Sequence, residues 1–118
     1  MARYLLLIHG DEREWAAMSD QQRQELAEGH RAFVAAGGAA VLDSGELEPA
    51  SLATSLRADP TGRLTITDGP FLETKEAVGG YYLIEAADLD EVIGLASRLY
   101  EASAGHSGVE IRPVVEHG

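Results

Sequence analysis

The chain has no cysteine, a single lysine, a single tryptophan and only four prolines among its 118 residues. Without cysteine there is no disulfide framework, zinc ribbon, iron–sulfur site or thiol nucleophile, and the composition fits a reducing, cytoplasmic setting. Positive charge is scarce: 9 basic side chains stand against 20 acidic ones, a formal net charge of −11. The arginines (3, 13, 23, 31, 57, 63, 98, 112) are scattered rather than clustered, which disfavours nucleic acid and anionic membrane as partners. No apolar run near the start approaches the ~20 residues of a membrane span; residues 4–8 are too few, and they lack the basic flank and cleavage site of a secretory leader. Also missing are a Walker or Rossmann glycine loop, a Gly-x-Ser-x-Gly elbow, a His-x-His and any histidine pair at i, i+4. No cofactor and no metal site is therefore expected from local spacing. At ~100–200 residues per domain, residues 1–118 make one domain, long enough to bury a core unaided.

What is present reads as alternating strands and helices. Tyr4, Leu6 and Ile8 occupy one alternation of the first strand and Leu5 and Leu7 the other, the pattern of a strand covered on both sides. Gly10-Asp11 ends it, and residues 11–18 read as a loop or short helical turn. Ser19 with Gln22 forms a capping box, opening a helix over about residues 20–36 with Leu26, His30, Phe33 and Val34 on its apolar stripe and Gly37-Gly38 as its stop. A strand follows over residues 39–47, then two short strands around Asp59-Pro60-Thr61-Gly62, a hairpin turn. Residues 79–85 form another strand. Asp88 and Glu91 cap a helix carrying Leu89, Val92, Ile93, Ala96, Leu99 and Tyr100 at helical spacing, and residues 109–115 form the last strand.

This order gives two split βαβ units with an inserted β-hairpin: an α+β, ferredoxin-like layer with both helices on one face of an antiparallel sheet. The helices cover one face only, yet the first strand is apolar on both. Packing against a second copy, sheet to sheet, is the simplest cover, so a homodimer is expected.

From Thr67 the sequence becomes distinctive. Thr67-Asp68-Gly69-Pro70-Phe71, Glu73-Thr74-Lys75-Glu76 and Gly79-Gly80-Tyr81-Tyr82-Leu83-Ile84-Glu85 together resemble the signature of the DGPF proteins, a branch of the YCII-related family. The opening residues 4–12, Gly45-Glu46-Leu47-Glu48-Pro49 and Glu110-Ile111-Arg112-Pro113-Val114 follow the same pattern in order, so the resemblance spans almost the whole chain. It implies a ferredoxin-like fold paired into a dimeric α/β barrel, and a biochemical role mostly unassigned. Some relatives are enzymes that use a His–Asp pair in a pocket. DGPF members often lie beside extracytoplasmic-function sigma factors, which implies a link to transcriptional regulation.

Two residues are candidates for catalysis. His30, on the apolar stripe, can act as a buried acid–base group; alternatively it is a satisfied core or interface histidine. The aspartate paired with the family's histidine precedes the glycine that ends the helix, where this chain has Ala35 and Ala36. Asp68 can hold the turn it starts or, held rigidly, serve as a base. His9, Glu73, Lys75, Glu76 and Arg112 are candidate ligand-binding residues. His9 ends the first strand, Lys75 sits between two carboxylates, and Arg112 lies on a sheet face where it needs a carboxylate or an anionic ligand. The alternatives are a solvated strand end for His9 and loop ion pairs for the Lys75 group. His106 and His117 are expected to be exposed.

Three functional readings follow. The first is a homodimeric small-molecule-binding protein or enzyme with a polar pocket near the dimer interface, where residues 68–76 and Arg112 converge. The second is a regulatory protein that contacts a sigma factor through its acidic surface. The third is a ligand-free structural dimer.

Overall fold

The computed structural model describes residues 1–71 and 74–117. Its body is built from β1 (Ala2–Asp11), α1 (Glu12–Ala16), α2 (Asp20–Gly37), β2 (Val41–Glu46), β5 (Glu76–Ala86), α3 (Leu89–Ala96) and β6 (Ser107–Pro113). Between β2 and β5 lies a hairpin of β3 (Thr54–Ala58) and β4 (Leu64–Asp68). The four body strands form one antiparallel sheet in the order β2-β5-β1-β6, an arrangement compatible with the ferredoxin-like α+β fold.

The alternation of β1 decides where the core sits. Tyr4, Leu6 and Ile8 are buried, and Ile84, Tyr82 and Gly80 stand opposite them on β5. Phe33 of α2 and Val92 and Ala96 of α3 close over this face; Phe33, Leu6, Ile84, Leu99 and Val92 are its largest fully buried side chains. The α2 start is the capping box expected from the sequence: Ser19 Oγ accepts from the Gln22 N–H at 3.1 Å, and Gln22 Oε1 accepts from the Ser19 N–H at 2.8 Å.

Several sequence-based boundaries move. Val34 is exposed, one position too far round α2 to reach the sheet. Residues 38–40 form a 3₁₀ turn before β2 begins. The second long helix stops at Ala96, leaving Leu99 extended and Tyr100 in a separate 3₁₀ turn, while Leu89 and Ile93 face solvent. The cause is local. Ser97 Oγ and Arg98 Nη1 both donate to the Gly94 carbonyl, while the Arg98 N–H turns to Leu95, tightening the chain into an i→i+3 exit.

Among the described residues, no helix covers the second face of the sheet. Leu5, Leu7 and Leu83 are half-buried there, flanked by the Arg3–Glu85 ion pair. The hairpin packs mainly on itself, and Leu56, Leu64 and Ile66 are exposed (51%, 59% and 66%). Asp59 organises its turn by accepting from the Thr61 N–H, the Thr61 hydroxyl and the Arg63 N–H, contacts that lower its carboxyl from the ordinary value. The result is a slab of 49 × 45 × 19 Å with a radius of gyration of 16.3 Å, against about 13.5 Å for a compact chain of this length.

Candidate functional site

His30 lies one turn before Phe33 on the buried side of α2, which brings its ring over β5. There its Nδ1 is 2.6 Å from the Tyr82 hydroxyl, and the two rings stack with centroids 5.7 Å apart. On the other side of the imidazole, Nε2 is 2.9 Å from both oxygens of Glu101. An ionised carboxylate only accepts, so Nε2 carries a hydrogen; in the neutral ring Nδ1 then accepts the Tyr82 O–H. The three side chains form one linear relay, Glu101–His30–Tyr82. Burial, and after it the Glu101 charge, raise the Tyr82 phenol above its ordinary value of 10.0, which keeps it a hydrogen-bond donor.

The early end of α3 delivers Glu101. Because the chain exits at Ala96, the 3₁₀ turn Tyr100–Ala102 passes beneath α2 and Glu101 is only 5% exposed. Gly29 makes this approach possible: a Cβ there would sit 2.9 Å from the Arg98 carbonyl oxygen. The helix that presents the histidine thus has a bare backbone patch beside it for the segment that presents the carboxylate.

The relay opens into a cavity of about 560 Å³ between a helical wall and a sheet wall. Trp15, Met18, Arg23, Leu26 and His30 line the first; Ser44, Gly45, Glu46 and residues 79–82 line the second. That volume lies in the range of small-molecule clefts, ~300–1,000 Å³. Trp15 Nε1 donates to Ser107 Oγ at 2.9 Å, and the Ser107 hydroxyl reaches His106 Nδ1 at 2.8 Å. His106 is accordingly half-buried rather than solvated, bracing the tryptophan wall.

The other candidate residues lie elsewhere. His9 faces the helix-free side of the sheet, with Nε2 2.9 Å from Glu110 Oε1, while Arg112 Nε holds Glu110 Oε2 at 2.5 Å. Arg112, and then His9, lower the Glu110 carboxyl from its ordinary value of 4.5. A second cavity of about 1020 Å³ near the hairpin base is lined by His9, Leu52, Pro70, Phe71, Glu76 and Val78, among others. Asp68 sits exposed at the end of β4, Lys75 is exposed, and Arg112 is 68% exposed; none of the three lines either cavity. Glu73 lies outside the described residues. The turn after Asp68 is held by the Gly69 N–H on the Ala53 carbonyl and by Ser55 Oγ on the Gly69 carbonyl, both at 2.6 Å. Among the described residues, Asp68, Lys75 and Arg112 do not converge on either of these cavities within one chain. His30 lines one cavity, and His9 and Glu76 line the other.

Tyr82 and Glu101 were missed in the sequence. Tyr82 stood in view within the Gly79–Glu85 strand, where alternation with Ile84 puts it on the face that His30 reaches. Glu101 carries no local signal, being 71 residues from His30 and beyond a helix end that periodicity misplaces.

Among the described residues no group of three or more histidine, aspartate or glutamate side chains is arranged to hold a metal ion, and no helix is long and apolar enough to cross a membrane. A family model, the YCII-related domain, matches residues 2–117. The chain is also 34% identical over 115 residues to an uncharacterized protein of Rhizobium meliloti (strain 1021), covering 94% of this chain and 90% of that relative. With the antiparallel α+β body in place and both matches running nearly end to end, the chain belongs to the YCII-related family.

Proposed function

We propose that the protein binds a small molecule in the cavity beside His30 and exchanges a proton with it through Tyr82. The observation that carries this reading is the Glu101–His30–Tyr82 relay ending in a cavity of ligand size. As the ligand's proton passes to Tyr82 Oη, the phenolic proton passes to His30 Nδ1. The ligand becomes an anion, and the new imidazolium is paired with the Glu101 carboxylate. The return step reverses each transfer, Nδ1–H to Oη and Oη–H to the ligand, so no charge is left behind. Glu101 acts as a positioning residue: it fixes the tautomer and stabilises the charged ring through its bonds to His30 Nε2.

The test is solvent exchange. Carbon acids that raise the thermal midpoint of the protein by mass action are incubated in D₂O and followed by mass spectrometry. Deuterium should enter them with the native protein and fall by about 10²-fold or more with Tyr82→Phe and with His30→Gln. Equal exchange in native protein and Tyr82→Phe would refute the relay and leave a structural histidine.

We further propose that the helix-free sheet face pairs with a second copy. Leu5, Leu7 and Leu83, with the exposed apolar side chains of the hairpin, support this reading. A second sheet laid on this face would bury the three leucines that no helix covers. A purely monomeric sedimentation profile at low micromolar concentration would overturn it.

A further inference from the structure

We infer that the ligand of the His30 cavity is a small monocarboxylate with an apolar body, anchored by Arg23 and denied a second negative charge by Glu46; this rests on the cavity being a ligand site, not on proton exchange occurring there. Arg23 stands on the helical wall, and its Nη2 donates to the carbonyls of Trp15 and Ala16, both at 3.2 Å. Those bonds tether the guanidinium to the end of α1 and occupy one of its nitrogens. Among the described residues no carboxylate lies within ion-pair distance of it. Arg23 is exposed and shares the lack of an acidic partner with most arginines of the chain, but among the described residues it is the one arginine that lines this cavity. Its Nη1 and Nε hydrogens remain for charge-assisted bonds to a carboxylate oxygen, while both parallel forks of the guanidinium include the Nη2 already given to the two carbonyls.

The rest of the lining sets the body and the limit of charge. Trp15, Met18, Leu26 and Ile8 supply apolar surface to the same cavity. Of the other ionisable groups facing the cavity, His30 is held between Tyr82 and Glu101, and Tyr81 lies 3.3 Å from Asp43. Glu46 comes from the end of β2 on the sheet wall. A dianionic ligand would place its second charge in the field of Glu46, while the one other basic group of the lining, His30, is already engaged by Glu101.

Trp15 is the only tryptophan and lines the cavity, so intrinsic fluorescence reads occupancy directly. Benzoate, benzamide and phthalate are the probes. Benzoate should bind about tenfold more tightly than either of the others. Arg23→Gln should erase the preference for benzoate over benzamide, Arg23→Lys should restore part of it, and Glu46→Gln should narrow the gap between benzoate and phthalate. Equal affinity for benzoate and benzamide, no saturable response to benzoate at millimolar concentration, or an unchanged preference in a folded Arg23→Gln protein would each overturn the inference. A carboxylate preference without deuterium exchange supports this inference and defeats the relay; exchange without the preference does the reverse.

Discussion

Alternate residues of β1 face two differently built sides of one sheet. Tyr4, Leu6 and Ile8 meet α2 and α3 in an apolar core, and the Glu101–His30–Tyr82 relay on that side is satisfied at every member. Leu5, Leu7 and His9 meet no helix, and the charges around them lie in chains open to solvent, His9–Glu110–Arg112 and Arg3–Glu85. The same strand thus serves a side finished within one chain and a side that is not. Hydrophobicity alone does not separate them, since both alternations are leucine-rich; what separates them is whether an element of the same chain returns to cover the surface.

The sharpest way to break that contrast is to compare neighbours in sequence. Phe33→Ala should lower unfolding stability by about 3–5 kcal/mol and Leu6→Ala by about 2–5 kcal/mol in denaturant titrations, because each empties a closed core. Leu7→Arg should instead leave the fold in place and shift sedimentation towards monomer. Unfolding by Leu7→Arg as severe as by Leu6→Ala would remove the distinction. Next in size, Glu101→Ala should cost about 1–3 kcal/mol by leaving the His30 Nε2–H without its acceptor, while Tyr82→Phe preserves the core at smaller cost.

The two sides should also fail at opposite ends of the pH scale. Tyr82 ionises above its ordinary value of 10.0 in the folded chain, so its contribution is full below that pH and is lost as pH rises through the raised value. Glu110 titrates below its ordinary value of 4.5; its contribution is present above that pH and is lost as pH falls through the lowered value. Tyr82→Phe should flatten the alkaline limb of a stability–pH profile, and Glu110→Gln should flatten the acid limb by a smaller amount, since solvent screens that exposed cluster. The smallest effect belongs to the hairpin. Asp59→Ala should speed amide exchange at its turn while moving global stability by no more than about 0.5 kcal/mol.

The contrast also marks how far sequence reasoning reached. Periodicity placed β1, α2, the hairpin and β5, because each has an uninterrupted pattern and a local start or stop such as Ser19–Gln22 or Asp59–Gly62. It failed at Ala96, where two side chains compete for the Gly94 carbonyl and end the helix against its apolar spacing. His30 was legible as a polar residue on an apolar stripe. Its carboxylate was not, because the pairing depends on that unforeseen exit. Lys75 and Arg112 drew attention by charge, yet charge near a distinctive motif does not specify where side chains converge.

The seat of Trp15 has a consequence for how such a site can change. Its ring lies against Gly10 of β1 and Gly79 of β5, where a Cβ would intrude; at Gly79 it would come within 2.7 Å of the indole. Size at these three positions is therefore a shared quantity: one large residue and two of the smallest. Alanine at Gly79 is harmful while the indole is present, but becomes tolerable once a smaller side chain stands at 15, and a return to tryptophan is then barred. The cavity wall can be remodelled along some orders of substitution and not others, so the history of a variant, and not only its composition, determines the shapes that wall can reach.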